Sequence, residues 1–126
     1  MFTPTAAFPS FSVPDLDKAQ AFYRDTLGLS AEIDKMGLRL ALPGGVVVVA
    51  YAKPDHQPAS FTILNFQVDD LKAAMADLTA KGMTFEQYAG MTDEDGVARG
   101  IANHQGPDIA WFKDPFGNIL SVLQEA

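Results

Sequence analysis

The chain repeats itself, and the repeat limits the folds open to it. Phe11-Ser12-Val13-Pro14-Asp15-Leu16 recurs 55 positions later as Phe66-Gln67-Val68-Asp69-Asp70-Leu71. An apolar-periodic segment follows each copy, through Ala19, Phe22, Tyr23 and Leu27 in the first and Ala74, Met75 and Leu78 in the second. Both segments end at a glycine, Gly28 and Gly82, where a helix stops readily in the left-handed conformation. The acids Asp15, Asp17, Asp69 and Asp70 stand where an N-cap and first turn favour negative charge. A second match, 72 positions apart, aligns Pro43–Val49 with Pro115–Ser121. Each half therefore reads as strand, helix, strand and a closing hairpin. The offset grows from 55 to 72 within Tyr88–Asp108, a polar stretch rich in Gly and Asp that is expected to be a long loop. Two such units each have an open sheet face that must be covered, so pairing them makes a shared core or cleft.

Composition narrows the class. The chain has 126 residues, enough for one domain, 1–126, with module one at about 6–53 and module two at about 61–126. The formal net charge of −7 argues against nucleic acid or an anionic membrane as partner and fits a neutral or cationic one, or equally plain solubility. With no cysteine, disulfides, zinc–thiolate sites and cysteine nucleophiles are excluded. The start, MFTPTAAFPSF, lacks the basic and long apolar regions of a signal peptide, and a soluble cytoplasmic protein is expected.

Three segments carry a resemblance: VPDLDKAQAFYRDTLGL (13–29), FQVDDLKAAMADLTAKG (66–82) and WFKDPFGNILSVLQ (111–124). In order and spacing they resemble the vicinal oxygen chelate superfamily, which includes glyoxalase I, extradiol dioxygenases and bleomycin resistance proteins. The resemblance implies an α+β fold of two tandem βαβββ modules with mixed sheets enclosing a cleft. It also implies a homodimer. It does not fix a reaction, because one scaffold hosts many.

In metal-dependent members a ligand stands near the start of each module's first strand and on each module's last strand. Carried over, those places fall at Phe8 and Ile63, and at Val49 and Ser121. A divalent ion needs imidazole nitrogen or carboxylate oxygen, usually from three or more groups. A phenyl ring, two branched aliphatics and one hydroxyl do not supply them, so no metal and no cofactor is expected. The two histidines, His56 and His104, read as solvated loop residues, and no Ser/His/Asp grouping can be assembled.

What remains is a pocket. Alternation sends Phe11, Val13, Phe66 and Val68 under the helices. The opposite face then carries Phe8, Ser10 and Ser12, Val47, Val49 and Tyr51, Ile63, Asn65 and Gln67, and Ile119, Ser121 and Leu123. An apolar lining with a few polar groups suits a small organic molecule, and so many amides and hydroxyls in a sealed core would all need partners. Either Trp111 or Phe112 joins that face. Leucine at position 121 is expected to fill the cleft without disturbing the fold. If the Tyr88–Asp108 loop closes as a lid, Arg99 or His104 meets the ligand. The expected ligand-binding set is thus Phe8, Ser10, Val49, Tyr51, Ile63, Asn65, Arg99, His104, Trp111 and Ser121. The expected function is binding of an organic ligand without metal. The alternative is a glyoxalase-like lyase, isomerase or dioxygenase using lid residues or an unrecognised metal site.

Overall fold

A computed structural model describes residues 1–126, and the chain divides into two compact units, Met1–Gln57 and Pro58–Ala126. Each has one four-stranded mixed sheet. The expected α+β class with mixed sheets is what the chain adopts.

The first unit runs β1 (Ser10–Val13), α1 (Leu16–Ala21), a π-helical turn (Phe22–Thr26), β2 (Ser30–Asp34), β3 (Gly37–Leu42) and β4 (Val46–Ala52). Its sheet order is β1-β4-β3-β2, with β1 parallel to β4 and the other pairs antiparallel. Asp15 caps α1 by accepting the Lys18 N–H at 3.0 Å, which satisfies one of the donors a helix start leaves over. The widened turn after α1 buries both Phe22 and Tyr23. Tyr23 lies 5.8 Å from the ring of Phe11 and 5.0 Å from that of Phe22, so the repeat's leading aromatic is sealed under the helix as alternation requires. Gly37 has φ of +135°, and a Cβ there would run into the Ala50 carbonyl, so this hairpin accepts no side chain at that point.

The second unit runs β5 (Thr62–Gln67), α2 (Leu71–Ala80), β6 (Val97–Arg99), a short 3₁₀ helix (Ile101–Asn103), β7 (Asp108–Lys113) and β8 (Ile119–Gln124). The order β5-β8-β7-β6 repeats the first sheet strand for strand. Asp70 caps α2 through the Ala73 N–H at 3.0 Å, matching Asp15 at the same offset of 55. At the other end Gly82 takes φ of +94°, while its N–H and that of Met83 return to the carbonyls of Thr79 and Leu78. Leu71, Val97, Ala110 and Val122 form the core beneath α2, joined by Met75, Leu78 and Phe85.

The register carries the repeat into three dimensions. Ser10 pairs with Val49 in one sheet and Asn65 with Ser121 in the other. Those are the same pair once the offsets of 55 and 72 are applied.

Two sequence expectations need correction. Tyr88–Asp108 is not one long loop, because its middle forms β6, the strand that completes the second module's βαβββ order. Three residues, Val97-Ala98-Arg99, set among Asp and Gly, were too short to show a strand period. The parity reading of β5 also fails at its start. The ladder steps from Thr62 opposite Ile119 to Leu64 opposite Leu120, so Ile63 is an extra residue in a bulge. A bulge re-aims the side chains before it, and here it brings Thr62 onto the face that Ile63 was expected to hold.

Candidate functional site

The open face of the second sheet is built around one row, Asn65–Ser121–Trp111, on β5, β8 and β7. The opposite faces of these strands carry Val122 and Ala110 into the core. Phe112 also points inward, 1% exposed and 5.8 Å from Phe85, so Trp111 is the aromatic on the open face.

Ser121 is sealed, at 0% exposure. Its hydroxyl donates to Asn65 Oδ1 at 2.5 Å. The indole N–H of Trp111 donates to Thr62 Oγ1 at 3.0 Å. Trp111 is on β7, Thr62 on β5, and β8 lies between them. The indole must therefore cross β8, and it roofs the strand that bears Ser121. Tyr88 packs edge-on against the indole, with ring centroids 5.5 Å apart at 69°. Such pairs add about 0.5–1.5 kcal/mol beyond burial and hold the roof in place. Asn65 remains exposed, so what reaches the surface at this spot is its amide, not the serine hydroxyl.

Beside the indole is a pocket of about 680 Å³ lined by Trp111, Ile109, Ala98, Arg99, Met91 and Thr92, among others. Its wall is the segment once expected to be a free loop, and acids staple that segment. Asp93 Oδ1 accepts the N–H groups of Asp95 at 2.9 Å and Val97 at 3.0 Å, and its Oδ2 accepts Arg99 Nε at 2.8 Å. Arg99 also faces Asp95 at 3.9 Å and Asp108 at 3.7 Å. The guanidinium, helped by the Val97 N–H, holds the Asp93 carboxyl below the usual carboxylate range. Arg99 thus reaches the pocket wall already engaged with three carboxylates, and its first role is to hold β6.

The other expected residues sit apart from this row. His104 is exposed, takes the left-handed conformation at φ of 55°, and lines a different depression of about 440 Å³ with Ile101 and Pro107. In the first unit Phe8 is exposed and precedes β1, Ser10 lies opposite the buried Val49, and Tyr51 lies opposite Ser12. There Ser12 Oγ and His56 Nδ1 are 2.6 Å apart, a contact with no sequence signal because the two residues are 44 positions apart. Thr62 was missed on the second sheet, since nothing in the sequence before it marks the bulge.

The metal-dependent pattern does not fit these residues. Phe8, Val49 and Ile63 have no donor atom, and the Ser121 hydroxyl is roofed and committed to Asn65. No group of three or more His, Cys, Asp or Glu side chains is placed to hold an ion. No helix is long and apolar enough to cross a membrane.

Comparison with known proteins agrees with the topology. No curated protein matches the chain. Among solved structures, a superfamily member from Sphaerobacter thermophilus DSM 20745 is similar at 26% identity and TM-score 0.68, over 95% of this chain and 98% of its own. A glyoxalase/bleomycin resistance protein from Streptomyces sp. CB03234 shares 28% identity at TM-score 0.61, covering 94% and 100%. TnmS3, an antibiotic binding protein from Streptomyces sp. CB03234, shares 25% identity at TM-score 0.67, covering 99% and 100%. The family model for the glyoxalase/bleomycin resistance protein/dioxygenase superfamily matches residues 6–122. The chain belongs to that superfamily.

Proposed function

We propose that this chain is a small-molecule binding protein of the glyoxalase/bleomycin-resistance type, holding an organic ligand on the open face of its second sheet without a bound metal. The observation that carries the proposal is the replacement of a ligating acid by a roofed serine. Where metal-dependent members bear a carboxylate, Ser121 lies under the Trp111 indole and donates its hydroxyl hydrogen bond to Asn65 Oδ1. The face thereby offers an aromatic plane, an exposed amide and a pocket of about 680 Å³, within the range of ordinary small-molecule sites. The similarity to TnmS3, an antibiotic binding protein, supports the same class of activity. The net charge of −7 favours neutral or cationic ligands.

A metabolite and antibiotic library screened by thermal shift, with and without chelator, tests the proposal. A true ligand at 100 times its dissociation constant adds roughly 2.7 kcal/mol, a clear rise in Tm. Stabilisation should be equal in both arms. Ligands that act only with an added metal ion, or turnover abolished by the chelator, would favour the glyoxalase-like enzyme instead. The family resemblance extends the proposal to a cytoplasmic homodimer, and sedimentation equilibrium measures the oligomeric part.

A further inference from the structure

Taking the proposed ligand face as given, we infer that it selects flat aromatic ligands bearing a hydrogen-bond acceptor, and that Ser121 sets this polarity as a positioning residue. The inference rests on where each proton on the face is already spent. The only indole N–H is committed to Thr62, so Trp111 offers a ligand its π-face and no donor. The Ser121 hydroxyl is committed to Asn65 Oδ1 at 2.5 Å. That bond occupies the acceptor side of the amide and turns the Asn65 NH₂ outward, on an exposed residue. Thr62 takes the indole proton on a lone pair, which leaves its own O–H to donate. Each oxygen keeps one lone pair, but the unspent hydrogens, two on Asn65 and one on Thr62, outnumber them. The Asn65 lone pair lies on the side turned toward Ser121, so the face is biased toward donors.

The spacing suits one ligand touching both ends. The indole reaches back over β8 to Thr62, and Thr62 and Asn65 stand opposite Ile119 and Ser121, two residues apart on β8, so roughly 7 Å separates the indole's tip from the Asn65 backbone. A fused ring system with a carbonyl or ring nitrogen at one edge spans that distance. It can rest on the indole and accept from Asn65. A ligand that offers only an N–H or O–H at that edge meets a donor, and a buried donor without a partner is disfavoured.

Three tricyclic probes of nearly equal size separate these cases: 9-fluorenone as acceptor, carbazole as donor, and fluorene as neither. Their dissociation constants are measured by equilibrium dialysis on the wild type and on Ser121→Ala, Asn65→Asp and Asn65→Leu. The wild type should hold fluorenone about tenfold more tightly than carbazole, with fluorene between them. Ser121→Ala frees the amide to turn either way, so that ratio should fall toward unity. Asn65→Asp still accepts the serine proton but shows an oxygen outward, and should reverse the order in favour of carbazole. Asn65→Leu should abolish the discrimination. Far-UV circular dichroism of each variant checks the fold. Equal binding of all three probes by the wild type, or an undiminished ratio in Ser121→Ala, would overturn the polarity argument and leave the ligand face standing. Failure of all three to bind the wild type would remove the face and this inference with it.

Discussion

Asp114 and Ser121 show how much a single buried polar side chain does here, each through the hydrogen bonds it completes. Asp114 is 5% exposed, and its Oδ1 accepts the N–H groups of Phe116 and Asn118, both at 2.9 Å. Its Oδ2 accepts Asn118 Nδ2 at 2.8 Å, so one carboxylate organises the whole turn before β8. Asp114→Ala should cost about 2–3 kcal/mol in urea unfolding, since it strands buried backbone donors. Asp114→Asn should cost less, because one oxygen is kept. At Ser121 the expectation drawn from the sequence, that leucine is tolerated, gives way to the observed packing. A residue with no exposed surface beneath an indole has no room for added carbons. Ser121→Leu should therefore destabilise by about 1–3 kcal/mol, whereas Ser121→Ala should cost under about 1 kcal/mol because Asn65 can turn to water. Equal stability of the leucine variant and the wild type would show that the indole does not roof this position.

Among the elements, β6 is the one whose existence depends most on charge. It is a three-residue edge strand, too short to persist on ladder bonds alone, and Asp93 and Arg99 brace it from both ends. The folded Asp93 carboxyl titrates below its ordinary value of 3.8, first because of the Arg99 hydrogen bond. The sign follows from linkage. The support is fully present above the ordinary value and is lost as pH falls through the lowered folded value. Amide exchange at Asp95 and Val97, corrected for intrinsic rates, should accelerate below about pH 4, and Arg99→Met should show the acceleration at every pH. Protection that does not vary between pH 6 and pH 2.5 would assign the strand's stability to packing of Val97 instead. This element also marks where sequence reading ran out. Asp15 and Asp70 announced their helices, Gly28 and Gly82 their ends, and alternation put Asn65 and Ser121 on one face, where the register pairs them. Those signals are local and repeat. The strand β6, the bulge at Ile63 and the Ser12–His56 contact come from tertiary pairing, which leaves no period in three residues and no mark across 44 positions.

For the molecule as a whole, the two units share one plan, yet the positions that the family resemblance assigns to metal donors hold Phe8, Val49, Ile63 and Ser121. No imidazole or carboxylate stands at those places, and the second sheet's open face is an aromatic and amide surface. Trp111 is the only tryptophan, so its emission reports that surface without interference from other indoles. The most direct measurement is a fluorescence titration of chelator-treated protein with a ligand found by the library screen, repeated on Asn65→Leu. Saturable change of Trp111 emission without metal, weakened at least tenfold in Asn65→Leu, is the predicted result. Unchanged emission at full occupancy, or saturation that appears only when a divalent ion is restored, would contradict metal-free binding at this face.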